Sequence, residues 1–497
     1  TKPAARPVLV SRLLAASKAL DDLRTEWEQA FPAYRRITQL PSVEARQDAN
    51  LLPRQALMVS YLFEDKQNLA AFSLNREGQL QWHALGQHPH LADHVEAFRL
   101  AASQRGARML VDDQQNPVEI RHWHHNGQAR WQVVARSASA CTSDPSTAPA
   151  CPPTHSRSAT EADLELLQQQ LSQTLLAPML ARHQNKHYRQ WVVSPDGPLG
   201  ALPWDLLSWR RRPVVAQIAV SQLPSLSTAK AEQQVRAGRG PTAQPRDLAL
   251  LAIGNPQFAR PMANIAPRGP EVQHASPATA TVVNDASAPG LAGPPQAPSH
   301  WPTLPASELE IRLAAAAFPA QATLQFTGAA ASKARLLQAS ANGELARARH
   351  VLFATHAWYH PDRPEDSRLV LSPDPAPGDL TASGLVGPAD IMGLHMQSDL
   401  AVLSACNSAR GDTAQDGRSQ MGFAYALQVA GNRNALLALW PVRDQSTAHF
   451  SARFFHHVAR GAKHAAALQT TKREFMRNPN LPWRAPQHWA GFVLVGM

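Results

Sequence analysis

Cysteine is almost missing from this 497-residue chain, which holds three: Cys141, Cys151 and Cys406. An odd, sparse set in so long a chain excludes the disulfide scaffold of small secreted domains. Charge is thin at 17% of residues. No apolar run reaches the ~18 residues of a membrane-spanning helix, so no membrane partner is expected. The chain opens on Thr1 without a basic-then-apolar leader, which gives two expectations: a cytoplasmic setting, and a piece of a longer protein. A G-x-x-x-x-G-K-S/T phosphate loop is lacking too. The nearest thing to a dinucleotide fingerprint, Gly238-Arg-Gly-Pro-Thr-Ala243, precedes a strand and puts proline where a phosphate-binding N–H is wanted. It reads as linker, and no cofactor is expected. The net charge of +10 comes from scattered arginines with no basic block among aromatics, so direct nucleic-acid binding is not expected.

What is present points to folded domains. Apolar residues at 44% supply real cores, the length suits two to four domains, and 41 prolines imply long irregular connectors. Residues 8–50 carry helix-like apolar spacing, as in Ala19-Leu-Asp-Asp-Leu-Arg-Thr-Glu-Trp-Glu. A packing helix pair and the tail of an upstream repeat array both fit. Strands are expected at 56–63, 69–74 and 79–85, the last two joined at Arg76-Glu-Gly78, followed by a helix at 91–104. A hairpin over 118–134 turns at Asn126-Gly127, where both positions tolerate positive φ. His122 and His124 share a face there with His125 adjacent, but no nearby carboxylate or thiolate completes a metal site. A solvated polar edge is expected instead, and no metal.

The Ser/Thr/Ala/Pro-rich stretch 136–160, carrying Cys141 and Cys151 as free thiols, reads as a flexible insertion. A helix at 161–184, a strand from Arg189 and a strand at 214–220 follow. The polar stretch 236–246 marks a boundary. Beyond the apolar strand Leu248–Gly254, residues 255–306 are too long for an ordinary connection and are expected to be a disordered or regulatory loop.

From 307 onward helices and strands alternate. Helices are expected at 307–318, opening on a capping box Ser307-Glu-Leu-Glu310, and at 331–341, 419–430, 445–459 and 463–476. Strands are expected at 323–326, 350–355, 369–371, 400–405, 435–439 and 491–495. Such alternation implies a parallel α/β sheet, whose ligands bind at the C-terminal strand ends. Two of these strands end in reactive side chains, His356 and Cys406. They would set an imidazole and a thiol on one rim.

The segments His350-Val-Leu-Phe-Ala-Thr-His356, Leu380-Thr-Ala and Asp399-Leu-Ala-Val-Leu-Ser-Ala-Cys406-Asn together resemble those of CHAT-domain peptidases, caspase-like cysteine proteases related to separase. The likeness continues through Gly422-Phe-Ala-Tyr-Ala-Leu-Gln-Val-Ala-Gly431, Leu439-Trp-Pro-Val-Arg-Asp444 and Trp489-Ala-Gly-Phe-Val-Leu-Val-Gly496. Upstream, Val193-Ser-Pro-Asp-Gly-Pro-Leu-Gly-Ala-Leu-Pro-Trp and Ala252-Ile-Gly-Asn-Pro extend it to about 53–497. The resemblance implies an α/β caspase-like fold whose two halves each hold a mainly parallel sheet flanked by helices. On that plan residues 1–52 are an N-terminal helical segment. Residues 53–245 are a pseudo-protease half with the insertion 136–160, and residues 246–497 are the active half with the loop 255–306.

It further implies a cysteine endopeptidase that cuts protein substrates and is switched on by a regulatory partner or an upstream sensor region. Cys406 would be the nucleophile and His356 the general acid/base. The backbone N–H groups of Cys406 and Ala357 would hold the oxyanion. Relatives usually have glycine where this chain has Ala357, and its methyl brings strain if that position needs positive φ. A catalytically silent interaction scaffold is the alternative that this departure supports. Asp444 matches the position of an S1 carboxylate facing a basic P1 side chain, and it equally suits capping of helix 445–459. Asp412 and Asp416 are secondary S1 candidates.

Overall fold

The computed structural model of the chain describes residues 40–64, 68–103, 108–111, 119–125, 128–134, 155–158, 161–183, 187–237, 246–258, 301–360, 364–373, 384–405, 422–441, 444–479 and 481–497, with a few positions in 18–26. Most of the expected insertion 136–160, with Cys141 and Cys151, and most of the expected loop 255–306 lie outside the described residues. So do the side chains of the 119–134 hairpin, including His122, His124 and His125.

Eleven strands form one large sheet: β1 (Ala56–Phe63), β2 (Asn68–Asn75), β3 (Leu80–Gln87), β4 (Gln190–Ser194), β5 (Ala219–Gln222), β6 (Leu248–Pro256), β7 (Thr323–Gly328), β8 (Ala348–Ala354), β9 (Leu400–Leu403), β10 (Ala435–Ala438) and β11 (Phe492–Val495). Their order across the sheet is β7-β6-β8-β9-β10-β11-β5-β4-β1-β2-β3. Pairing is parallel except for β10 with β11, β1 with β2 and β2 with β3. The flanking helices are α1 (Leu91–Ser103), α2 (Glu161–Leu175), α3 (Leu226–Ala237), α4 (Pro305–Ala315), α5 (Lys333–Ala341), α6 (Phe423–Val429), α7 (Asp444–Ala459) and α8 (His464–Arg477). Every residue of β9 and β10 is buried, as a parallel strand covered on both faces requires of an unbroken apolar run. Among the described residues no helix is long and apolar enough to cross a membrane.

The sheets of the two halves are continuous. β11 lies antiparallel to β10 and parallel to β5, with Gln222 opposite Val495 and the Gly496 N–H donating to the Gln222 carbonyl at 2.7 Å. The antiparallel step reverses the strands beyond it, so β1, β4 and β5 run against β6, β8, β9 and β10. Their C-terminal ends therefore lie on opposite edges of the same sheet. A buried ion pair crosses the join: Lys472 on α8 donates to Asp205 and, at 2.5 Å, to the Phe492 carbonyl of β11. Burial pulls the Lys472 ammonium below the ordinary lysine value, and Asp205 counters that pull.

Four local departures from the expected elements have physical reasons. The apolar run from Val214 starts as a 3₁₀ turn, with Gln217 and Ile218 N–H groups both on the Val214 carbonyl, and the strand begins only at Ala219. Val214 and Val215 are buried all the same, because a turn hides them as well as a strand would. The helix expected over 161–184 breaks after Leu175, since Pro178 has no N–H for a continuous ladder. Helix α3, whose buried positions include Leu226, Ala229 and Ala231, went unexpected because two of those three carry only a methyl group. Helix α4 begins at Pro305, two residues before the expected cap, as suits a residue lacking a donor. Ser307 then sits in its first turn and donates to the Leu304 carbonyl at 2.7 Å.

Candidate active site

Strands β8 and β9 are parallel neighbours, with His350, Val351, Leu352 and Phe353 opposite Leu400, Ala401, Val402 and Leu403. One further step is held by the Ser404 N–H donating to the Phe353 carbonyl at 2.9 Å. The other end of the pair is pinned by Asp399. Its N–H reaches the Arg349 carbonyl at 2.8 Å, and its carboxylate takes Arg246 at 2.8 Å, Arg433 at 2.7 Å and Arg349 at 3.4 Å. Burial alone would raise the Asp399 pKa, but the three guanidinium groups prevail and hold it below the usual carboxylate range.

The strand expected to carry the histidine ends earlier, at Ala354. The chain bends at Thr355, whose hydroxyl donates to the Val370 carbonyl. His356–Trp358 then joins a separate antiparallel sheet with Arg368–Val370 and Leu385–Val386. The imidazole is thus mounted on a small accessory sheet above the C-terminal edge of the large one.

His356 Nε2 lies 2.8 Å from the Pro302 carbonyl oxygen. A carbonyl only accepts, so the neutral ring carries its proton on Nε2 and its lone pair on Nδ1. Two aromatic rings lie against the imidazole, Phe258 at 5.2 Å and Trp301 at 5.3 Å between centroids. Sequence reasoning missed all three contacts. Phe258 follows the end of β6, which is adjacent to β8, but a backbone carbonyl such as that of Pro302 leaves no signal in residue identity.

Ala357 is in strand conformation and is not among the non-glycine residues with positive φ. The Ala357 methyl therefore meets none of the backbone strain that a positive φ would bring.

Cys406, Asp412 and Asp416 lie outside the described residues, which stop at Ala405 and resume at Gly422. His356 is three residues beyond Phe353, and Cys406 is three beyond its partner Leu403. Helix α7 begins at Asp444 itself, one residue before the expected start, and its side chain is outside the described set. Nearby, Ser446 and His488 are buried and hydrogen-bonded at 3.0 Å, and Trp440 Nε1 donates to the Gln487 carbonyl at 3.0 Å, stitching the segment around Asp444 to 486–488. Among the described residues no group of three or more His, Cys, Asp or Glu side chains is placed to hold a metal ion.

A mainly parallel α/β sheet that delivers a histidine at the C-terminal end of one central strand, next to a strand leading toward a cysteine, defines the class. The chain belongs to the CHAT domain family, whose profile matches residues 165–497. Tetratricopeptide repeat protein 28 of Mus musculus is 30% identical over 112 residues, which are 22% of this chain and 4% of that protein. Its Homo sapiens counterpart is 28% identical over the same length. The chain therefore spans a small fraction of the curated relatives it matches. Among solved structures, the Saccharomyces cerevisiae separase-securin complex aligns with a TM-score of 0.44 and 10% identity, over 93% of this chain and 31% of that one. The Arg specific cysteine proteinase gingipain R aligns with a TM-score of 0.35 and 9% identity, over 68% and 67%.

Proposed function

We propose that the chain is a cysteine endopeptidase in which Cys406 and His356 form the dyad. The observation that supports it is His356, three residues past the point where β8 pairs with β9, with Nε2 on the Pro302 carbonyl. In that tautomer Nδ1 carries the lone pair that takes the Cys406 thiol proton. The thiolate attacks a peptide carbonyl carbon, and the backbone N–H groups of Cys406 and Ala357 stabilise the oxyanion. Collapse breaks the C–N bond, with His356 returning its proton to the leaving amine. Water, deprotonated by the same imidazole, then hydrolyses the acyl-enzyme. An imidazolium formed in the first step keeps its Nε2–H on a carbonyl dipole, which favours the charged ring.

In this reading Asp444, with Asp412 and Asp416 in support, faces a basic P1 side chain, because a carboxylate pairs well with Arg or Lys. The substrates are proteins, the setting is cytoplasmic, and a regulatory partner or upstream sensor region governs activity. The segment 53–245 is the pseudo-protease half and supplies no dyad. Mapping new N-termini in cells expressing wild type, Cys406→Ala or His356→Ala tests the reading. Cleavages are expected to vanish in both variants and to fall after Arg or Lys; cleavage that persists in both variants refutes the dyad.

A further inference from the structure

Helix α4 carries a carboxylate that the scheme above does not use. Glu310 is 2% exposed and accepts hydrogen bonds from Ser404 Oγ at 2.5 Å and Ser451 Oγ at 2.6 Å. A carboxyl group out of water needs hydrogen-bond partners. Both hydroxyls donate to the same oxygen, Oε1. Ser451 is itself buried, on α7. Ser404 is the first residue past β9, and Cys406 is two residues further on. Glu310 therefore holds Ser404 at the point where the chain leaves β9.

The segment leading into the same helix reaches the histidine. Trp301 and Pro302, in the non-helical segment just before α4, supply the ring and the carbonyl that contact His356. Glu308, one turn into the helix, accepts at 3.1 Å from Nδ2 of Asn255, the next-to-last residue of β6, whose φ is +48°. Phe258, the other ring against His356, lies three residues beyond. The helix contacts Ser404, and the segment leading into it contacts His356.

We infer that Glu310 is a positioning residue for Cys406, acting through Ser404 to hold the thiol within reach of His356. The inference rests on the peptidase reading above.

It is tested on the full chain by following iodoacetamide alkylation of each cysteine by mass spectrometry across pH, with Cys141 and Cys151 as internal references. In wild type the Cys406 midpoint is expected below the ordinary ~8.5 of a thiol. His356→Ala should return it to that value. Unchanged labelling in His356→Ala refutes the peptidase reading, and the inference with it. Given that dependence, Glu310→Gln should raise the Cys406 midpoint and slow labelling at neutral pH, about tenfold for each whole pH step by which the midpoint rises. Ser404→Ala should do the same, while Ser404→Thr, which keeps the hydroxyl, should not. Removing a nearby negative charge would by itself lower the midpoint, and a merely structural carboxylate would change Tm without moving it. A midpoint that falls or stays put in Glu310→Gln, with wild-type labelling in Ser404→Ala, overturns the inference.

Discussion

Strand β4 in the first half of the sheet and strand β8 in the second are both largely buried, yet they hand the chain to different tasks. Ser194, the last residue of β4, donates to the Pro224 carbonyl at 2.8 Å, and beyond it Asp196 accepts the Phe63 N–H at 2.8 Å. Those polar groups serve the backbone and close the rim. After β8, Thr355 closes the bend, and the next residue presents an imidazole oriented by a backbone carbonyl. The two rims lie on opposite edges of one sheet, so the first half extends the scaffold without crowding the site. One sheet runs through both halves; chemistry depends on what each strand end carries.

That contrast fails most visibly if the second rim is not special. His356→Ala should cost roughly a hundred- to ten-thousandfold in cleavage of an identified substrate, the range of a lost general acid/base. Asp196→Ala at the first rim should leave that rate unchanged. The join between the halves gives the next largest effect. Lys472→Met strands the buried Asp205 carboxylate and should cost about 3–5 kcal/mol in urea unfolding. Adding Asp205→Leu should recover most of it, and probes in both halves should report one transition.

A smaller effect separates the halves by pH. His350 on β8 is buried, donates Nδ1–H to the Ala249 carbonyl at 2.7 Å, and stacks on Phe318 near Phe455 and His464. Burial lowers its pKa from 6.5 to about 4; His464 and Arg349 add to that, and the Ala249 carbonyl and Asp399 oppose it. Between those values the unfolded chain binds a proton that the folded chain refuses. Stability should therefore be full above about pH 6.5 and fall by about 3 kcal/mol as pH drops toward 4. His350→Gln should flatten that slope in thermal melts taken across pH. Smallest of all, Asp196→Ala should cost about 1 kcal/mol of stability through the lost Phe63 bond.

Most strands were legible because buried parallel strands are unbroken apolar runs, as Leu400–Leu403 and Leu248–Ile253 are. The neighbouring, parallel relation of the His356 and Cys406 strands followed from the alternation of elements and holds in the register of β8 with β9. Contacts between residues remote in sequence were not legible. Ser307-Glu-Leu-Glu310 satisfies the pattern of a capping box, but Pro305 starts the helix two residues early and turns Glu310 inward to Ser404 and Ser451. The bend at Thr355 depends on a hydroxyl meeting the Val370 carbonyl fifteen residues away, a contact no local pattern encodes. Nor does any property of Phe492–Val495 announce that it will lie between the two halves.

That last placement has a consequence for biosynthesis. Ten strands of the sheet leave the ribosome before β11, and the slot it fills lies between β10 and β5. Until residue 495 emerges, the nascent chain holds two unpaired strand edges facing a gap, the arrangement most prone to pairing with a stranger. A translation stall or nonsense codon shortly before β11 would thus release a polypeptide with most of its interior built and its centre open.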